Sequence, residues 1–352
     1  MMLRTSQNPK STALLRAYVL AAVWSGNRQR SPEDIASLAA NIVINNMADD
    51  GDDNIFVYLG GEQEVPRRVT HAIIDPSVKN VRRDAFRYRQ RLVSVIFHDG
   101  VEAITTYAFC GCISLRRIKL LGVKKIGEGA FRNCTALSDV EFGDRLETIG
   151  KFAFYGCDHL RSIKLLSVTK VRSFAFGNCD ALTDVEFGVD LETIGTGSFE
   201  NCPKLHRVTI PLKYYLLPFG TDYQRCTHFD GCRSLRTVEL VGVEEIKTTT
   251  SLLLLQSWKD EMNEEIDRIN QELPDTDADE KAITIRLWIR SVIKRMKRYK
   301  AEHNRLLKEH MTQLELAIWK AKLDEKSTRE ERRITSGADI IIKNVLPFLK
   351  LA

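Results

Sequence analysis

The segment Ile118-Lys-Leu-Leu-Gly-Val returns 45 residues later as Ile163-Lys-Leu-Leu-Ser-Val, and Val140-Glu-Phe-Gly returns at the same interval as Val185-Glu-Phe-Gly. Inside each interval lies a shorter echo, Ala-Phe-x-x-Cys-x-x-Leu, which begins at Ala130 and again at Ala153. The unit is therefore 22 or 23 residues. A unit this short cannot bury its own apolar face. It must stack on copies of itself, which restricts the chain to a solenoid or a similar array.

Phenylalanine marks the units. Phe86, Phe109, Phe131, Phe154, Phe176 and Phe199 are 23, 22, 23, 22 and 23 residues apart, and Phe229 follows after 30. Each has a leucine six residues on, from Leu92 to Leu235, then a short alternating stretch such as Val140-Glu-Phe142 that reads as a strand. A second apolar pair follows, as in Leu146-x-x-Ile149. A βαβ unit needs about 30 residues or more, so a full helix per repeat is excluded. The spacing predicts one coil made of a short strand, a turn, a second extended segment and a helical or 3₁₀ turn holding Ala-Phe. Neighbouring coils place like residues on like residues, with parallel strands about 4.8 Å apart.

All eight cysteines fall in the repeats, and six follow the period, which predicts buried packing positions rather than disulfides or a zinc site. Cys110 lies off the column beside Cys112 and is expected to reach solvent, with a redox switch there as the alternative.

The pattern Leu-x-x-Ile-Gly-x-x-Ala-Phe-x-x-Cys-x-x-Leu, complete from Leu146 to Leu160, resembles the BspA-like leucine-rich repeats over about residues 72–246. A lead-in such as Asn54-Ile-Phe-Val-Tyr58 and a tail ending Val345-Leu-Pro-Phe348 are similar to members expanded in unicellular algae. The resemblance implies a right-handed leucine-rich-repeat stack of short parallel strands without catalytic residues. It also implies binding rather than chemistry, since relatives serve adhesion on bacterial and protist surfaces.

The middle residue of successive strands alternates in sign: Lys119, Glu141, Lys164, Glu186. Unlike charges opposed on adjacent strands stabilise by about 0.2–1 kcal/mol each. The ladder thus neutralises itself, or forms a charge-patterned recognition face, and either reading argues against a groove that tracks phosphates. The array is interrupted at residues 211–227, where Tyr214, Tyr215, Phe219 and Tyr223 cluster. Such an insertion either covers the open apolar end of the stack or supplies aromatic anchors for a partner.

After Lys247 the period ends and helix formers take over. The sequence predicts a helix over residues 251–272, ended by Leu273-Pro274, and a second that can run to about Leu323 with Ile285, Trp288, Val292, Met296, Tyr299, His303 and Leu306 on one face. Residues 260–280 hold ten acids and one base, whereas residues 281–308 hold ten bases and one acid. Folded as a long helical hairpin with coiled-coil character, the two blocks neutralise each other. Left open, a basic helix with Trp288, Arg290, Lys294 and Arg298 suits an acidic partner, a calmodulin-like groove or nucleic acid. A third helix is expected near Ile340–Leu349.

The division expected is an N-terminal extension (1–53), a repeat solenoid (54–247) and an all-α helical tail (248–352). The first 46 residues are basic and weakly presequence-like. A net charge of +5 on 352 residues implies neither nucleic acid nor membrane. No phosphate loop, dinucleotide fingerprint, His-Glu-x-x-His or Gly-x-Ser-x-Gly occurs. We expect no catalytic, cofactor or metal residue, and a non-enzymatic protein–protein interaction scaffold that can self-associate through its tail. The alternatives are a nucleic-acid- or calmodulin-binding factor and a surface adhesion protein. Nucleic acid is disfavoured as a partner, and no stretch is long and apolar enough to span a membrane. A reduced cysteine column without a clear secretory signal points to the cytoplasm, with organelle import as the alternative.

Overall fold

A computed structural model describes residues 54–218, 227–241 and 252–323. The expected N-terminal extension, Phe219, Tyr223, Cys226 and the third helix lie outside the described residues. The chain divides into two compact units, the first of Met1–Thr249 with Lys259–Ile293 and the second of Thr250–Trp258 with Lys294–Ala352.

The repeats form a parallel-strand solenoid. Along one face run β1 (Ile55–Tyr58), β2 (His71–Ile74), β4 (Ser94–Ile96), β6 (Arg117–Leu120) and β8 (Asp139–Phe142), continued by β10 (Ser162–Leu165), β12 (Asp184–Phe187), β14 (Arg207–Pro211) and β15 (Thr237–Val241). A second face carries the two-residue strands β3 (Asn80–Val81), β5 (Ala103–Ile104), β7 (Lys125–Ile126), β9 (Thr148–Ile149), β11 (Lys170–Val171) and β13 (Thr193–Ile194), hydrogen-bonded in chain order. Every ladder is parallel and in repeat register, for example Ile118 opposite Val140 and Lys119 opposite Glu141. Register is fixed because a slip of one residue would turn Ile118 and Leu120 to solvent and Lys119 inward.

The third face departs from the expected helical or 3₁₀ turn. Around Ala-Phe the chain makes successive tight turns in which alternate amides bond locally and across. Ala108, Cys110 and Cys112 donate to carbonyls three residues back, whereas Tyr107, Phe109 and Gly111 donate to Glu128, Ala130 and Arg132 of the next coil. Two left-handed residues per coil cause this, because a helix cannot propagate through them. One column holds Asp84, Tyr107, Gly129, Phe152, Phe174 and Gly197; the other holds Tyr88, Gly111, Asn133, Gly156, Asn178, Asn201 and Gly231.

The interior is built in columns. Phe86, Phe109, Phe131, Phe154, Phe176, Phe199 and Phe229 are all fully buried. They stack at 4.7–5.6 Å, with interplanar angles of 11° or less. Beside them the thiols of Cys112, Cys134, Cys157, Cys179, Cys202 and Cys232 each donate to the phenylalanine carbonyl of the preceding coil, at 3.0–3.4 Å. Burial holds the Cys112 thiol up at about 12, so these sulfurs stay protonated donors. Cys110 is also buried, contrary to expectation, and burial pushes its thiol up as well. It stands at the coil position held by Arg87 and Arg132 in the neighbouring coils, and both guanidiniums lie close enough to act on its thiol.

The interior also explains part of the 45-residue echo. Phe97, Phe142 and Phe187 pack edge-on against the column at 5.7, 5.7 and 6.1 Å. The intervening coils place Leu120, Leu165 and Ile210 at the same strand position, so large and small side chains alternate. The glycine that ends Val-Glu-Phe-Gly is a matter of close approach, since a Cβ on Gly143 would lie 1.9 Å from the Leu121 carbonyl oxygen.

Two helices follow, α1 (Leu252–Glu272) and α2 (Lys281–Leu323). Their bounds agree with the stop at Pro274 and the reach to Leu323 read from the sequence. Within the first unit they close the end of the stack. Asn270 Oδ1 accepts the amide of Val238 on the last strand at 2.8 Å, and Lys281 Nζ donates to the Leu235 carbonyl at 2.6 Å. Backbone groups at a sheet end would otherwise be open to pairing with another chain. Ile285, Trp288 and Val292 are buried, as their spacing predicts.

Candidate interaction surfaces

The strand face carries the alternating charges. Lys119 Nζ lies 2.6 Å from Glu141, and Lys164 Nζ lies 3.3 Å from Glu186. Further along, Arg207 bridges Asp184 at 3.0 Å and Glu239 at 3.1 Å. The second face repeats the arrangement with Lys124–Glu102 and Lys170–Glu192. Each of these cations has its carboxylate one coil away, whereas Arg117 on β6 and Lys125 on β7 are exposed with no ion pair among the described residues.

The described part of the insertion does two things. Leu216 and Leu217 are buried, and the Leu216 carbonyl accepts the amide of Ile194, which extends the second face past β13. Tyr214 and Tyr215 are 44% and 73% exposed and meet edge-on at 4.9 Å. The Arg290 guanidinium, on the helical closure, lies 4.8 Å from the Tyr214 ring centroid.

Of the candidates on the basic helix, Trp288 is buried and donates its indole N–H to the Glu265 carbonyl of α1 at 3.0 Å. Its ring belongs to helix packing, not to an exposed basic surface. Arg290 is half-buried, whereas Lys294 and Arg298, in the second unit, are exposed. Nearby in the first unit His228 is wholly buried; burial and the Arg286 guanidinium push its imidazole down to about 4, so it is neutral at pH 7.

The turn face was not singled out by sequence reasoning. Tyr88, Tyr107, Phe152 and Phe174 stand at left-handed positions, with φ of 55–58°. Among the described residues, the other non-glycine positions in that conformation are Asp84, Asn133, Asn178 and Asn201. Asp and Asn tolerate it, but a bulky ring there costs about 1–2 kcal/mol. Glycines occupy equivalent places in neighbouring coils, so the backbone does not require these rings. Tyr88, Tyr107 and Phe174 lie close over Gly111, Gly129 and Gly197 of the following coil, whereas Phe152 lies over Phe174. The signal in the sequence was the aromatic two residues before the column phenylalanine, in Tyr107-Ala-Phe, Phe152-Ala-Phe and Phe174-Ala-Phe.

Cations rest on these rings. Arg87 lies 5.0 Å from the Tyr88 centroid and 5.2 Å from Tyr107. Arg132, 45 residues on, lies 5.2 Å from Phe152 and 5.4 Å from Tyr155, and Lys151 lies 5.0 Å from Phe152. Arg87 is also paired with Asp84 at 3.1 Å. Neither Arg132 nor Lys151 has a carboxylate partner among the described residues.

Among the described residues no group of His, Cys, Asp and Glu could hold a metal ion, and no helix is long and apolar enough to cross a membrane. The arrangement offers fixed polar and aromatic contacts at coil spacing.

The repeat region is similar in sequence to known proteins. The BspA type Leucine rich repeat region matches residues 67–167 and 120–218. A leucine-rich repeat protein of T. pallidum is 27% identical, over 54% of this chain and 74% of that one, with a TM-score of 0.36. One from Bacteroides ovatus is 24% identical over 50% and 61%, with a TM-score of 0.34, and one from Eubacterium ventriosum is 23% identical over 50% and 43%, with a TM-score of 0.38. A search of curated protein sequences finds no match. The repeated Ala-Phe-x-x-Cys-x-x-Leu motif and the parallel coils it builds make residues 67–218, somewhat less than half of the chain, similar to the BspA type leucine-rich repeat region.

Proposed function

We propose that this protein is a non-enzymatic interaction scaffold, whose solenoid holds recognition side chains at fixed spacing for a protein partner. Leucine-rich repeat proteins of this type are usually interaction or adhesion proteins. The observation that carries the reading is the unbroken phenylalanine column. A core stacked at 4.7–5.6 Å makes the exposed faces rigid, and a rigid surface loses little entropy on binding. Tyr214 and Tyr215 supply exposed aromatic anchors of the kind that dominate interfaces. Lys119, Glu141, Lys164 and Glu186 already pair within the stack and serve for register more than for affinity.

A second reading rests on the exposed Lys294 and Arg298, which suit an acidic partner. Burial of Trp288 and the seat of Arg290 on Tyr214 remove half of the aromatic-basic surface that this reading requires.

Affinity capture with the intact chain, run beside a Tyr214→Ser/Tyr215→Ser variant and a Lys294→Gln/Arg298→Gln variant, tests both readings. The scaffold reading expects a partner at fixed stoichiometry that the tyrosine variant loses. A partner lost only with Lys294 and Arg298 would favour the second reading, and turnover of a substrate that depends on one side chain would overturn the first.

A further inference from the structure

We propose that the turn face is a docking site for an extended acidic segment of a partner protein, with Arg132 and Lys151 receiving two carboxylates and Phe152, Tyr155 and Phe174 forming its floor. The proposal rests on the scaffold reading and gives it a surface and a partner chemistry.

The first ground is strain without a structural need. Phe152 and Phe174 hold left-handed backbone at φ 56° and 58°, where Gly129 and Gly197 serve the same column. Backbone strain of this kind gathers where side chains have a role beyond folding. The rings stack on each other at 5.1 Å and Tyr155 meets Phe152 edge-on at 5.4 Å, so they form one pre-built platform. Asn178 donates to the Tyr155 hydroxyl at 2.8 Å and fixes that ring.

The second ground is charge. On the strand face each lysine of the ladder meets a glutamate of the neighbouring coil. Arg132 and Lys151 meet only rings, which orient a cation without neutralising it. A planar guanidinium fixed in this way presents its N–H fork to a carboxylate.

The geometry selects the occupant. Both cations lie near 5 Å from the same Phe152 centroid, so they are no more than about 10 Å apart. Residues i and i+2 of an extended segment point the same way at about 7 Å, which places two carboxylates within reach. A nucleic-acid strand fits less well. Glu128 is exposed beside the platform with Tyr107 donating to it, and Asp84 lies further along, so phosphates would meet acids on either side of a short cationic patch. Phe174 covers one face of Phe152 and the two cations lie over the same ring, which leaves no free face for a base and only ring edges as floor.

A fluorescein-labelled peptide of alternating Glu and Thr, titrated against the full chain and followed by anisotropy, tests the proposal. The peptide should bind, and its alternating Lys and Thr counterpart should not. Arg132→Gln/Lys151→Gln should weaken binding at least tenfold, and so should Phe152→Gly, which keeps the fold because glycine already serves that column. Arg161→Gln, an exposed cation before β10, should leave binding unchanged. Absence of peptide binding overturns the inference. So does equal loss in all variants, or tighter binding of single-stranded RNA or phosphatidylserine vesicles through the same residues. The capture experiment with the Tyr214/Tyr215 variant reads the scaffold proposal separately, so a failed peptide titration with intact capture removes the docking site alone.

Discussion

The strand face and the turn face are built on the same coils and use the same 45-residue alternation, but to different ends. On the strand face, Lys119 and Lys164 fall opposite Glu141 and Glu186, and opposite signs close on each other. On the turn face, Arg87 and Arg132, also 45 residues apart, lie over Tyr107 and Phe152. An exposed ion pair and an exposed cation over a ring stabilise by similar small amounts, about 0.2–1 and 0.5–1 kcal/mol. The difference is in what is left over. The paired ladder of the strand face retains little charge for a ligand, whereas the turn face retains the positive charge of Arg132 and Lys151 and carries backbone strain that folding alone would select against. In a repeat protein the face that satisfies itself is thus the one to discount as a binding surface.

Both faces rest on one core, so its loss should disturb them together. Phe131 is fully buried, 5.2 Å from both Phe109 and Phe154. Phe131→Ala should cost about 3–5 kcal/mol in chemical denaturation. Amide exchange should speed up equally on β6 and β8 and on the turns from Tyr107 to Arg132. Protection lost from one face only would mean that the faces are held separately.

Acid probes the closed end of the same stack. The folded imidazole of His228 takes a proton near pH 4, against 6.5 for an unperturbed histidine. The unfolded chain therefore binds the proton first as pH falls, and stability present above pH 6.5 is lost down to about pH 4, on the order of 3 kcal/mol. The lowered carboxyls of Asp75 and Asp184 act below this window, since their ordinary value is 3.8. Thermal melts of His228→Gln should decline less than those of the parent between pH 6.5 and 4.5, while the raised carboxyl of Asp158 acts with the opposite sign. An unchanged slope would place the acid-sensitive group elsewhere.

Phe152→Gly sharpens the contrast between interior and surface rings. Loss of a ring on the turn face is offset by relief of the left-handed strain, so stability should stay within about 1 kcal/mol of the parent. A loss as large as that of Phe131→Ala would make Phe152 a core residue and remove the case for a functional role.

Much of this fold is legible in the sequence because stacking forces like onto like. The spacing of Phe86 to Phe229 gives the column, the sign change from Lys119 to Glu141 gives the neighbour register, and Pro274 gives the end of α1. The turn face is not legible in the same way. A left-handed backbone is signalled by glycine or asparagine, and Tyr107 and Phe152 conceal it; only alignment of their coils with Gly129 and Gly197 discloses the shared conformation. Cys110 looks exposed because it lies outside the column, yet it is buried at a position between Arg87 and Arg132 of the neighbouring coils. Lys281 opens a basic block and reads as a solvated charge, but its Nζ is buried on the Leu235 carbonyl. Periodicity shows which face of a helix is apolar and does not show which backbone groups lie opposite its polar residues.

The surface pairs themselves differ in how they respond to salt. A double-mutant cycle on Lys119→Met and Glu141→Gln should give a coupling of about 0.2–1 kcal/mol at low ionic strength, since both side chains are largely exposed. The coupling should fall toward zero in 1 M salt, where the Debye length is about 3 Å. The matching cycle on Arg132→Met and Phe152→Leu should retain more of its value, because the guanidinium also packs its stem and plane on the ring. A strand-face coupling that survives salt, or a turn-face coupling that vanishes with it, would reverse the assignment of which surface is closed on itself and which is left open for a partner.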